Sequence, residues 1–331
     1  MDLFLLGDAR MIVRDFVKLE ANESVTILAD RSRADEARAL EYAAKEVGAD
    51  VITVDISQQV ASLLLSEQFW VPPHPGAIAA VQSSKVTIVA VDETYGFRLD
   101  HKVRQLFETG PNCSIYKIDL GLGTWRLTRK DIDETERLGV ALLAALDGAD
   151  RVHVTSPGGT DVELSIRGRE CLPVKALPER ALPYAIPIPL WGEYNWAPIE
   201  GSVNGTIVID GITEASSVLH VVAEPVTWTV VNDKVVDVAG GQDADDFRQL
   251  FTIDEGASQI GELGIGGNPR AVFGNETEKA RLGTVHFGVG QNDEYPGGTV
   301  RSAVHVDGVI RNARLEIDGK PVIANGRLCE P

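Results

Sequence analysis

The chain has 331 residues, 44% of them hydrophobic and 24% charged, which suits a globular protein of about two domains and excludes a disordered, collagen-like or small disulfide-rich chain. Its 31 basic and 49 acidic residues leave a net charge of −18, a field that repels nucleic acid and favours cations. Cys113, Cys171 and Cys329 are widely spaced with no CxxC, so no disulfide framework or zinc finger is expected and a reducing, cytoplasmic setting is.

In chain order, residues 8–18 have helical spacing. Residues 24–30 (SVTILAD) read as a strand, and 34–47 as a helix stopped by Gly48. A strand at 50–56, a helix at 77–83 and a strand at 86–91 follow. Then come a helix at 100–108, a strand at 114–119 and a long helix at 130–146. This alternation implies a parallel sheet with helices on its faces. Dinucleotide binding is not expected, because the strand at 27–29 runs into Asp30-Arg31-Ser32-Arg33 and not into a glycine-rich turn. The first ten residues do not read as a secretory signal, and no apolar run approaches the roughly 18 residues of a membrane span.

The texture changes near Arg151. Short alternating segments at 151–156, 161–166, 206–210, 227–232 and 234–238 read as strands, and 244–250 is the best helix candidate. Residues 173–205, dense in proline and glycine, read as a long loop region. The expected fold is thus an α/β domain with a parallel sheet over 1–150, followed by a β-rich α+β domain over 151–331 that carries the chemistry.

Within that second half, VRSAVHVDGVI (300–310) places His305 and Asp307 two residues apart, on one face of a strand, as a single metal ion would require. His286 lies in GTVHFGVG (283–290). Glu262 lies in IGELGIGGNP (260–269), where burying a carboxylate is expensive unless it is paired or bound to a cation. Glu193 lies in PLWGEYNWAPIEGSVNG (189–205), between Trp191 and Trp196. The glycine pairs Gly266-Gly267 and Gly297-Gly298 would let backbone pass close to such a cluster, or would simply form tight turns.

Taken together, GEYNWAPIEGSVNG, GELGIGGNP, GTVHFGVG and SAVHVD resemble the motifs of the metallo-aminopeptidases of the aminopeptidase T/S type, peptidase family M29. The resemblance runs from about Arg151 to Leu328 and is only architectural before that. It implies five metal ligands, Glu193, Glu262, His286, His305 and Asp307, holding two divalent ions (zinc, cobalt or manganese). It implies that Glu193 bridges the ions, that Glu193 and Glu262 are candidate catalytic carboxylates, and that a small peptide is hydrolysed by a homodimer. Charge agrees: three carboxylates against two divalent ions leave one positive charge, which a bridging hydroxide neutralises. The family's tyrosine after the GTxHxAxG motif has its nearest counterpart in Tyr295, which stands a little later here.

The same motifs are similar to those of the 2,5-dihydroxypyridine dioxygenases, which use one Fe(II) and keep the HxD pair. Their pattern puts a histidine where this chain has Glu262 and replaces the histidine equivalent to His286. Retention of both favours the peptidase-type site. A single Fe(II) on His286, His305 and Glu262 or Asp307 is the alternative; Trp191, Tyr194 and Trp196 are then open to stacking on an aromatic substrate, although aromatic residues in a proline-rich loop are more often packing anchors. A non-enzymatic binding or dimerisation module is disfavoured because all five ligand-type positions are filled.

Overall fold

A computed structural model describes residues 2–63, 71–91, 106–108, 113–118, 122–123, 126–175, 186–188, 191–216 and 218–329. Most of the helix expected at 100–108 lies outside them. The chain divides into two compact units, Met1–Ile132 with Ala176–Leu190, and Asp133–Lys175 with Trp191–Pro331.

In the first unit, β1 (Ser24–Ala29), β2 (Asp50–Asp55), β3 (Val86–Ala90), β4 (Ser114–Ile118) and the short β8 (Ile186–Ile188) form a parallel sheet in the order β2-β1-β3-β4-β8. The central strands β1, β3 and β4 are buried on both faces, which is why they read as largely apolar runs, whereas the edge strand β2 is mostly exposed. Val25, Ile27 and Ala29 enter one cluster with Ile12, Phe16 and Leu40, whereas Leu28 enters another with Val60, Val81 and Ile115. Among the described residues the unit's α-helices include α1 (Leu3–Met11), which runs on into a π-helical turn at Ile12–Phe16, then α2 (Ala34–Glu46), α3 (Ser57–Leu63) and α4 (Pro75–Ser83). Asp30, where a dinucleotide fold has its glycine-rich turn, caps the next turn by accepting the Ser32 and Arg33 N–H groups.

A single cut at residue 150 does not follow this path. Helix α5 (Arg129–Leu146) sends Leu142 and Leu146 into the core of the second unit, and β8 returns residues from beyond 150 to the parallel sheet beside β4.

The second unit contains two antiparallel sheets among the described residues. One has β5 (Arg151–Thr155), β6 (Asp161–Ser165), β10 (Asn204–Ile209), β13 (Val226–Val231), β14 (Lys234–Ala239), β18 (Arg314–Ile317), β19 (Lys320–Ala324) and β20 (Arg327–Leu328). The other has β7 (Leu172–Val174), β9 (Glu193–Trp196), β11 (Ile212–Thr213), β12 (His220–Val221), β15 (Ile260–Gly266), β16 (Val285–Gly290) and β17 (His305–Ile310), in the order β12-β11-β17-β16-β15-β9-β7. Val154, Leu164, Ile207 and Trp228 of the first sheet share a core with Trp196, Leu263, Phe287 and Ile310 of the second. Helix α6 (Gln242–Leu250) adds Phe247 beneath Trp228, with ring centroids 4.9 Å apart.

One feature departs from expectation. The segment holding Glu193 is the strand β9, paired to β15 and β7, and not loop. Trp191, Tyr194 and Trp196 are buried at 4%, 2% and 2% exposure, which makes them packing anchors, the commoner of the two roles open to them. No helix among the described residues is long and apolar enough to cross a membrane.

Candidate metal centre

Strand period explains where the polar groups go. In β9, β15, β16 and β17 the residues Trp196, Leu263, Ile265, Val285, Phe287, Val289, Val306 and Ile310 enter the shared core. Their alternating neighbours Glu193, Glu262, His286, His305 and Asp307 therefore point to the opposite face of the same sheet. A register shift in β15 between Ile260 and Glu262 sets Glu262 opposite Gly288, which the regular β16–β17 ladder sets opposite Asp307. Such bulges re-aim side chains next to functional sites.

All five residues meet there. Glu193, Glu262 and His286 offer ligand atoms within 4.8 Å of one another, and so do Glu262, His305 and Asp307. Glu262 belongs to both groups. Its Oε1 lies 3.3 Å from His286 Nε2, and its Oε2 lies 3.3 Å from His305 Nε2. The shared carboxylate is therefore Glu262 and not Glu193, whose nearer imidazole is His286 at 3.7 Å. The physical reason is position: β15, between β9 and β16, lies one strand nearer than β9 to β17, which carries His305 and Asp307.

Fixed donors hold the set in place. Trp191 Nε1 and Asn195 Nδ2 each donate to one Glu193 oxygen at 2.8 Å. His305 Nδ1 lies 2.8 Å from the Gln291 carbonyl, to which only an Nδ1–H can donate, so Nε2 faces Glu262 and Asp307. Tyr295 stacks on the His305 ring with centroids 6.1 Å apart. Burial, with Glu262 and Asp307 close by, pushes its phenol well above the ordinary value, so it stays a neutral O–H donor.

The carboxylates of a metal-free cluster would be expected to repel one another and take up protons. The imidazoles take them instead. Burial alone would lower His286, but Glu193 and Glu262 raise it to about 9. Burial likewise opposes the shift of His305, yet Glu262 and Asp307 raise it to about 10. Glu262, despite burial, is held well below the usual carboxylate range by the two imidazoles, and Asp307 is lowered by Lys279.

A cation fits this donor set. Glu262 Oε2 and Asp307 Oδ1 are buried acceptors with no well-formed hydrogen bond among the described residues, facing the His305 ring at 3.3 and 3.7 Å, the kind of poorly met acceptor a cation satisfies. Room is left by glycine. A Cβ at Gly288 would lie 2.8 Å from both of these oxygens, and one at Gly264 would overlap the His286 ring that lies across it. These two glycines, and not the Gly-Gly pairs, open the site. Gly266 and Gly267 pack on the Arg281 carbonyl and the Tyr194 ring, and Gly297 and Gly298 shape the loop that carries Tyr295. Gly288→Ala should weaken metal binding about 10–100-fold at a stability cost of about 1–3 kcal/mol. Metal content after dialysis, beside the melting curve, checks both.

Two charged residues were missed in the sequence. Lys279, in the 3-10 turn Glu276–Ala280, lies 2.8 Å from Asp307 Oδ2 and 3.2 Å from Glu214 Oε1. Nothing in NETEKARLG or GITEAS marks either as buried. The two glycines were legible, since each stands two residues after a ligand, in E-L-G and H-F-G.

An α/β unit joined to a β-rich unit with a buried cluster of imidazoles and carboxylates defines a class of enzyme equipped to bind metal. The chain matches the family model "NicX: 2,5-dihydroxypyridine 5,6-dioxygenase" over residues 13–330 and belongs to that family. No curated protein sequence matches it. Among solved structures it is similar to the 2,5-dihydroxypyridine dioxygenase of Pseudomonas putida KT2440, with a TM-score of 0.70 and 18% identity over 99% of this chain and 97% of that one. It is equally similar to wild-type AmpT from Thermus thermophilus, an M29 aminopeptidase, with a TM-score of 0.68 and 18% identity over 98% of each chain. At that identity the two likenesses establish the fold.

Proposed function

We propose that the protein is a metal-dependent aminopeptidase that removes N-terminal residues from small peptides. The observation that carries this reading is the division of Glu262 between two ligand groups, Glu193 with His286 and His305 with Asp307. A pair of divalent ions (zinc, cobalt or manganese) would, when bound, supply an acidified water and polarise the scissile carbonyl. Glu193, Glu262, His286, His305 and Asp307 would hold them. Trp191 and Asn195 orient Glu193, and the Gln291 carbonyl sets the His305 tautomer. Tyr295, neutral and next to His305, is placed to donate its proton to an oxygen that gains negative charge.

A second reading has its own observation. The family is that of a ring-cleaving dioxygenase, and Glu262 lies 3.3 Å from both imidazoles, a two-histidine, one-carboxylate set suited to a single Fe(II). Metal analysis with substrate trials separates the two. The peptidase reading expects about two ions per chain and anaerobic hydrolysis of aminoacyl chromogens. One iron per chain, with oxygen uptake on a dihydroxypyridine and no hydrolysis, would replace it with the dioxygenase.

A further inference from the structure

The two ligand groups around Glu262 are built differently. On the Glu193 side, both carboxylate oxygens accept from neutral donors, Trp191 and Asn195, and His286 has no solvent exposure. On the Asp307 side a cation intervenes. Lys279 Nζ lies 2.8 Å from Asp307 Oδ2, which leaves Oδ1 as the oxygen that faces His305 Nε2, at 3.7 Å. The lysine is itself seated by Glu214, whose Oε1 is 3.2 Å away and whose Oε2 is 3.4 Å from the Asp307 amide nitrogen. The His305 side chain keeps 24% of its exposure.

We infer that Lys279, seated by Glu214, is a positioning residue that holds Asp307 to one free oxygen and makes the His305–Asp307 side the weaker, exchangeable subsite of the metal pair. The inference rests on the two-ion reading of the site and not on the peptidase chemistry. Two effects act in the same direction. The ammonium occupies an oxygen that would otherwise be free to chelate, and it places a positive charge directly behind the ligand that a second cation must use. In a buried setting a unit charge about 4 Å away changes a cation's binding by a factor of at least about ten. Glu214 offsets part of that charge, with Glu276 and Glu193 acting on the lysine in the same sense, so Lys279 and Glu214 pull metal affinity in opposite directions. A lysine with a merely structural role would do otherwise, since removing either member would loosen the site.

Titration of the metal-free protein with Co(II) against a competing chromophoric chelator tests this. The wild type should bind in two steps, and His305→Ala should lose the weaker one. Lys279→Met should strengthen the weaker step by at least about tenfold, whereas Glu214→Gln should weaken it by a similar factor. If Lys279→Met does not fold, Lys279→Met/Glu214→Gln leaves the net charge unchanged and isolates the freed oxygen. It should still strengthen the weaker step. Two steps in which the lysine variants bind more weakly or unchanged, or in which His305→Ala loses the tighter step, overturn the inference and leave the two-ion reading standing. One ion in the wild type and two in Lys279→Met supports the role of Lys279 and ends the native two-ion reading. A single ion in every variant ends both.

Discussion

Glu262→Gln should abolish metal binding at both subsites, while substitution of any other ligand should spare one of them. Glu262 is 1% exposed and presents one oxygen to each imidazole at 3.3 Å. The amide removes the shared negative charge and leaves one weak acceptor oxygen in its place. A unit charge at about 4 Å is worth about 4 kcal/mol at an effective dielectric of about 20, so each ion should bind about a thousandfold or more less tightly. Shape is preserved, so the folded state should survive. Without Glu262 the imidazoles lose a main source of their raised basicity, and both pKa values should fall towards the ordinary histidine range. Metal content by mass spectrometry and imidazole titration by NMR check the two halves. Full metal loading of Glu262→Gln would show that Glu262 does not bridge.

The second large effect is a coupling between metal and protons. In the metal-free protein His286 titrates at about 9 and His305 at about 10, so both are imidazolium at neutral pH. Ligation requires the neutral ring. Metal binding at pH 7 should therefore release about two protons per chain, plus one more if a bound water ionises. Calorimetry in buffers of different ionisation enthalpy measures this number directly. Apparent affinity should rise with pH by up to about two logarithmic units per pH unit below about 9, and level off above about 10. The stability of the metal-free protein should move the opposite way. Both groups have folded pKa values raised above about 6.5, the unfolded value. Their contribution is complete below about 6.5 and is lost as pH rises through about 9–10. The melting temperature of the metal-free protein should thus fall across that window more steeply than that of the metal-loaded protein. A proton count near zero at pH 7 would mean that the imidazoles are already neutral in the metal-free protein and would overturn this coupling.

Much of this was legible in the sequence, for physical reasons. Strand and helix periods are local, so the elements at 24–30, 34–47, 50–56, 86–91, 114–119 and 130–146 read correctly within a residue or two. The His305-x-Asp307 pair and the glutamate among apolar residues at Glu262 stood out because a two-residue period and the cost of burying charge are properties of short segments. Even the glycines opposite the ligands follow that period. What only the tertiary structure decided depends on which strands are neighbours. Proline density suggested a loop around Glu193, but pairing to β15 and β7 satisfies its backbone and makes it a strand. Glu262 becomes the shared carboxylate because the β15 register, shifted by a bulge, sets it between the two histidines. Lys279 and Glu214 enter the site through ion pairs spanning 28 and 65 residues of sequence, distances over which no local pattern carries information. Residue types and their period thus determined which groups could bind a metal, and the sheet's pairing decided which of them face each other and which protons they hold.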